Sequence, residues 1–118
     1  MKNINHVCIS GNLTRDAEVL HGTGTVVKFT VAVNDRVKSG DEWEDYANFI
    51  DCTTFGKYAE IVSRDLKKGA KVCVEGRLRY STWEQDGKKR SRVEVIADTI
   101  ETLAAARATE AKNDEVPF

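Results

Sequence analysis

"KYAEIVSRDLKKG" (residues 57–69) is the stretch of this chain whose apolar residues follow a helical spacing: Tyr58, Ile61, Val62, Asp65 and Leu66 fall where an amphipathic helix would place one face. Lys67 and Lys68 come in the last turn and Gly69 supplies the stop, which suits the negative end of a helix dipole and the left-handed residue that follows it. One short helix is therefore predicted in a chain whose other segments alternate in twos. Its position among the strands decides the fold.

Upstream, "TVVKFTVAVN" (25–34) sets Val27, Phe29, Val31 and Val33 on one face and Lys28, Thr30, Ala32 and Asn34 on the other, the pattern of a half-buried strand. "HVCISGNL" (6–13) reads as a strand stopped by a turn or bulge at Gly11-Asn12. "NFIDCTTF" (48–55) alternates too, but its face of Phe49, Asp51, Thr53 and Phe55 mixes aromatics with polar residues, while Ile50, Cys52 and Thr54 take the other. Between these strands "RVKSGDEWEDYA" (36–47) carries Gly40 and four acids, and predicts an exposed loop in which Trp43 has no apolar neighbours. "HGTGT" (21–25) lacks the strand, helix and lysine context of a phosphate loop and reads as a turn.

Downstream, "AKVCVEGRLRYSTW" (70–83) resumes the period of two, predicting Val72, Val74 and Leu78 inward and Lys71, Cys73, Glu75, Arg77 and Arg79 outward. Asp86-Gly87 marks a hairpin turn, and "SRVEVIADTI" (91–100) is the returning strand. Five strands with one helix between the third and fourth is the connectivity of an all-β, five-stranded Greek-key barrel, the OB-fold. We assign the barrel to residues 1–103 and expect residues 104–118 to form a short flexible tail.

At 118 residues the chain suits a single domain. It holds no apolar run near the roughly 18 residues needed to cross a membrane, and no secretory signal, so a cytoplasmic location is expected. Cys8, Cys52 and Cys73 are odd in number, form no CxxC pair, and have only His6 and His21 as nitrogen partners. That argues against a metal site or a disulfide framework and for buried free thiols. No cofactor is implied. No Ser-His-Asp, paired-carboxylate or His-rich spacing is present, so no catalytic residue is assigned and an enzyme is not expected.

A net charge of −1 conceals a strong asymmetry. Residues 57–92 hold 11 Lys/Arg against 5 Asp/Glu, whereas residues 1–56 hold 5 against 8 and residues 93–118 hold 2 against 6. The basic segment surrounds the outward aromatics: Lys57, Lys67, Lys68, Arg77, Arg79, Lys88, Lys89, Arg90 and Arg92 accompany Phe49, Phe55 and Trp83. Separated aromatics interleaved with cations suit an unpaired nucleic-acid strand, whose bases offer π-faces and whose backbone needs a positive track. Each stacked base is worth about 1–3 kcal/mol, so three platforms could supply roughly 3–9 kcal/mol before any phosphate contact. Duplex DNA hides those faces, and nothing here looks like a recognition helix.

The segments "NHVCISGNLTRDAEV", "FTVAVN", "FIDCTTFGKYAEIV" and "LKKGAKVCVEGRLRYSTWEQDGKKR", with the closing "DEVPF", resemble the bacterial and phage single-stranded DNA-binding proteins. The resemblance covers residues 5 to about 100 in order, plus the tip. It implies base stacking at Phe49, Phe55 and Trp83, and backbone contacts at Lys2, Lys57, Lys68, Arg79 and Arg90. It also implies a homotetrameric assembly wrapped by DNA, nucleoid association, and roles in replication, recombination and repair; the residues themselves leave dimer and tetramer open. Val37 stands where the family often has a further stacking aromatic, for which Trp43 is a candidate replacement. Ala17 stands where proline is usual, and the stretch from Ala104 to Asn113 is shorter than the family's linker. The tip resembles a docking peptide for replication or repair enzymes: Phe118 and the terminal carboxylate enter an apolar pocket with a basic rim, Asp114 and Glu115 meet its cations, Val116 adds apolar surface, and Pro117 limits the conformations to be ordered.

Two other readings compete. A protein-interaction module with a vestigial DNA face would bind through the tip alone, and a thiol enzyme would use Cys73.

Overall fold

Alternation in "TVVKFTVAVN" becomes the inner face of β3 (Thr25–Ser39) in the computed structural model, which describes residues 2–103. Val27, Phe29 and Val31 are buried there and Val33 packs against them. The other strands are β1 (Val7–Leu13), β2 (Glu18–His21), β4 (Glu42–Phe55), β5 (Lys71–Gln85) and β6 (Lys88–Thr102). They run in the order β1-β5-β6-β4-β3-β2, and β1 also pairs with β3, which closes a barrel from β1, β3, β4, β5 and β6. The β4–β6 pairing is parallel; the others are antiparallel. This is the expected OB-fold, with β2 added as a short strand hairpinned onto β3 through Gly22-Thr23-Gly24.

β1 does not stop at Gly11-Asn12 as expected. It bends there and changes partner, from β5 (Gly11 opposite Val72) to β3 (Leu13 opposite Val31). Glycine is required because a Cβ at position 11 would collide with the Ala32 carbonyl.

The predicted helix is real but shorter, α1 (Gly56–Val62), followed by a 3-10 turn at Ser63–Asp65. It buries Ala59 and Val62, and Leu66 follows, fully buried, at the barrel's end. Tyr58 and Ile61, assigned to the inner face from their spacing, are exposed instead. The Tyr58 hydroxyl holds the Ile100 backbone, accepting from its N–H at 2.6 Å and donating to its carbonyl at 3.1 Å. Lys67 and Lys68 lie beyond the helix and not in its last turn, and Gly69 takes the left-handed conformation (φ 83°) after them.

The largest departure from the sequence reading is the "exposed loop" at 36–47. It is the outer half of a continuous hairpin, β3 with β4, paired down to Ser39–Glu42 around a Gly40-Asp41 turn. A tip outside the barrel has no buried face, so no apolar alternation marks it. Leu78 departs for the same reason: it shares the parity of Val72 and Val74 but is exposed, because β5 has by then left the barrel. The buried-thiol expectation holds only for Cys52; Cys8 and Cys73 are exposed on neighbouring strands. Burial, and after it the nearby charges of Asp51 and Glu94, push the Cys52 thiol up to about 12, so it packs as an uncharged apolar group. Among the described residues no helix is long and apolar enough to cross a membrane.

Candidate nucleic-acid interface

Strand parity sets the outer surface of the barrel. On β4 the residues facing away from the core include Phe49, Asp51, Thr53 and Phe55; Phe49 is 67% exposed and Phe55 43%. On β5 the corresponding residues are Arg79, Ser81 and Trp83, and on β6 they are Arg90, Arg92 and Glu94, each directly opposite one of those three (Arg90–Trp83, Arg92–Ser81, Glu94–Arg79). Phe55, Arg79, Ser81, Trp83, Arg92 and Glu94 line one groove of about 400 Å³, with Trp83 42% exposed at its outer end. The groove thus brings together two of the three expected platforms and Arg79.

Glu94 lies at the floor, only 5% exposed, and both its carboxylate oxygens are used. Arg79 Nη2 donates to Oε1 at 2.7 Å, Thr53 Oγ1 donates to Oε2 at 3.3 Å, and Arg92 Nη2 lies 3.4 Å from Oε2. The same two arginines approach the platforms: Arg79 Cζ is 5.5 Å from the Phe55 ring centroid and Arg92 Cζ is 6.0 Å from the Trp83 ring, within cation–π range. The groove continues past Lys28 and Thr53 into a polar hollow lined by Arg15, Glu18, Lys28, Thr30, Asp51 and Arg92. A further hollow lies under the Gly22–Gly24 turn beside Phe55.

Phe49 and Trp43 extend this face. Trp43, Phe49 and Phe55 have the same parity on β4 at six-residue intervals, about 20 Å each for an extended strand. Trp43 is 58% exposed at the hairpin tip, opposite Lys38. Val37 pairs with Glu44 and lies on the reverse face, so register puts Trp43, and not Val37, on the side of the platforms.

The expected cations divide. Arg90 and Lys88 have the parity of Trp83, whereas Lys89 points to the reverse face of its hairpin. Arg77 is tied to Asp98 at 3.1 Å, beside the bulge where Asp98 has no partner on β5. Lys57 is the second residue of α1, two positions after Phe55, and Lys2 is exposed ahead of β1. Lys67 and Lys68 sit at the end of the barrel, where the Lys68 amide donates to Asp16 at 2.8 Å, and neither lines the groove. Sequence reasoning missed Glu94, Lys28 and Arg15. An acid inside the short apolar stretch Val93–Ala97 was the available signal for the first, because a buried carboxylate there needs cationic partners. His6 and His21 are bonded locally, to Glu75 at 3.1 Å and Thr25 at 3.4 Å. No group of three or more metal-ligating side chains occurs among the described residues. Asp114, Glu115, Val116, Pro117 and Phe118 lie outside them.

The model of the single-strand binding protein family matches residues 4–103. The single-stranded DNA-binding protein of Treponema pallidum is 42% identical over 120 residues, covering all of this chain and 68% of its own length. That of Borreliella burgdorferi is 39% identical over 113 residues, covering 92% of this chain and 76% of its own. Among solved structures, the small single-stranded DNA-binding protein of Streptomyces coelicolor superposes with a TM-score of 0.67 at 28% identity, over 86% of this chain and 95% of its own. The Plasmodium falciparum protein in complex with ssDNA reaches 0.79 over 87% of this chain and 97% of its own; at 18% identity that likeness speaks for the fold alone.

Proposed function

The chain belongs to the single-strand binding protein family, and we propose that it binds single-stranded DNA without reading its sequence. Bound in this way it coats and protects unwound strands in replication, recombination and repair. The observation that carries this reading is the groove in which Phe55 and Trp83 stay open to solvent with guanidinium groups beside them. Open aromatic faces beside cations are surfaces on which unpaired bases stack, at about 1–3 kcal/mol each. Phe49, and at longer range Trp43, continue the platforms. Lys2, Lys57, Lys88, Arg90, Lys28 and Arg15 supply the cationic track for the backbone, with Lys67, Lys68, Arg77 and Lys89 contributing from outside the groove.

The division of labour is a binding barrel at 1–103 and a tail at 104–118 whose "DEVPF" recruits replication and repair enzymes. No catalysis is needed for either role. The protein works in the cytoplasm, at the nucleoid, as a homo-oligomer, with the tetramer as the form implied by its kinship.

Tryptophan fluorescence during titration with oligo-dT tests the reading. We expect strong quenching, weakened by salt with a log–log slope of about −0.7 per phosphate neutralised, and largely lost in Trp83→Ala. Absence of quenching together with absence of binding would leave the barrel as a scaffold for the tip.

A further inference from the structure

We propose that Glu94 is a positioning residue that fixes Arg79 and Arg92 as flat stacking surfaces beside Phe55 and Trp83, so that neither arginine acts as a phosphate clamp. The proposal rests on the single-strand reading above and reassigns Arg79, which the family resemblance places against the DNA backbone.

Glu94 is a buried carboxylate between two apolar residues of β6, and it is stable there only because its oxygens are paired. Arg79 holds one oxygen at 2.7 Å, and Arg92 and Thr53 share the other. For Arg79 to swing out to a phosphate it would have to abandon the shortest of these contacts and leave a buried charge with fewer partners. That penalty would be charged against binding.

While tethered, each guanidinium stays within 6.0 Å of a ring centroid, and the two arginine side chains remain about half exposed. A planar, weakly hydrated guanidinium next to an aromatic ring widens the surface on which a base can lie, which a flexible ammonium cannot do. Electrostatics agree. Two guanidiniums and one carboxylate leave a single net positive charge. Arg15, Lys28 and Arg90, which have no ion-pair partner among the described residues, are free to meet phosphates. The strand therefore runs with its bases over the trio and its phosphates along the untethered cations.

The test is anisotropy of a fluorescein-labelled oligo-dT, titrated with the full chain across a series of salt concentrations, for wild type, Glu94→Gln and Arg79→Lys. Glu94→Gln keeps the shape but loosens both tethers. We expect binding at high salt, where stacking carries the affinity, to weaken about fivefold or more, while the log–log slope steepens by about 0.7 as a freed guanidinium becomes available to a phosphate. Arg79→Lys keeps the charge and loses the plane. It should bind about two- to fivefold more weakly with an unchanged slope, the scale of an exposed cation–π contact. Tighter binding by Glu94→Gln at every salt concentration would mean that the carboxylate competes with DNA for a phosphate clamp, and would overturn the proposal. So would an Arg79→Lys chain that binds like wild type; if Glu94→Gln fails to fold, Arg79→Gln takes its place, and a salt slope flattened by about 0.7 in that variant would show a phosphate clamp and overturn the proposal. A wild-type chain that does not bind oligo-dT would instead remove the single-strand reading itself.

Discussion

Hairpin β3–β4 and hairpin β5–β6 both leave the barrel on strands of 14 or 15 residues, both close on a two-residue turn, and both carry one tryptophan toward the tip. Their charges are opposite. Around Trp43 stand Asp41, Glu42, Glu44 and Asp45, against Arg36 and Lys38; around Trp83 stand Lys88, Lys89, Arg90 and Arg92, against Glu84 and Asp86. The Arg36–Asp45 pair at 3.8 Å is exposed at both ends and worth under about 1 kcal/mol, so the acidic tip keeps its field. The backbone ladder has built the same arm twice, and side-chain charge alone makes one of them suitable to meet a polyanion. On this view a DNA strand engages the β5–β6 arm first and reaches the β3–β4 arm only by following the face of β4 outward.

The largest effect should come from breaking the root of the basic arm. At Gly76, where the register of β5 against β6 shifts, a Cβ would collide with the Ile96 carbonyl oxygen, and no flexible side chain can yield in its place. Gly76→Ala should cost roughly 3 kcal/mol of stability, the upper range for overpacking. A chemical-denaturation midpoint at unchanged m-value would record it. If the variant were as stable as wild type, the bulge would be adaptable and the two arms would not depend on a fixed root.

Next in size is the tryptophan contrast. Trp83→Ala should lower oligo-dT affinity by about 1–3 kcal/mol, a full stacked base. Trp43→Ala, among carboxylates that repel the backbone, should cost less than about 1 kcal/mol. Equal losses, read by titration at one salt concentration, would show that the acidic arm engages DNA as firmly as the basic one. Below that comes charge. The double variant Lys88→Gln/Arg90→Gln should flatten the log–log salt slope by about 1.4, two single-strand phosphate contacts at about 0.7 each. Glu42→Gln/Glu44→Gln should shift it by less than half as much, because those residues lie at the far end of the arm and on the face opposite Trp43.

How much of this could be read in advance differed between the inside and the outside of the barrel. Val27, Phe29 and Val31, or Val72 and Val74, betray their strands because one face must be apolar and the other need not be. The same logic located Phe49 and Phe55 on the outer side of β4. It failed once the strands left the core: residues 36–47 are held by backbone pairing with both faces wet, so the period-two signal vanished and a strand pair looked like a loop. Leu78 was misplaced by the converse error, counting inward parity beyond the point where there is an inside. Glu94 could have been noticed from its place between Val93 and Val95, but its role could not. Its role comes from Arg79 and Arg92, which approach it from 15 residues before and 2 residues before in sequence, and only the register of β5 on β6 brings all three to one floor.

The smallest contrast lies at the two turns. Gly40-Asp41 needs one left-handed residue, Gly40 at φ 66°, the type II′ pattern; Asp86-Gly87 needs two, at φ 54° and 75°, the type I′ pattern. Aspartate tolerates that region and glycine is indifferent to it, so each sequence fits its turn. Gly87→Ala and Gly40→Ala each place a Cβ in open space, so the penalty is conformational alone, about 1–2 kcal/mol. Their consequences should nonetheless diverge. Loosening the Asp86-Gly87 turn frays the segment that holds Arg90 opposite Trp83, so ssDNA affinity should fall along with stability. Loosening Gly40-Asp41 should lower stability by a similar amount and leave affinity nearly unchanged. Equal drops in affinity for the two variants, measured by anisotropy at matched salt, would mean that both tips touch the strand and that the opposite charges of the arms do not decide which one binds.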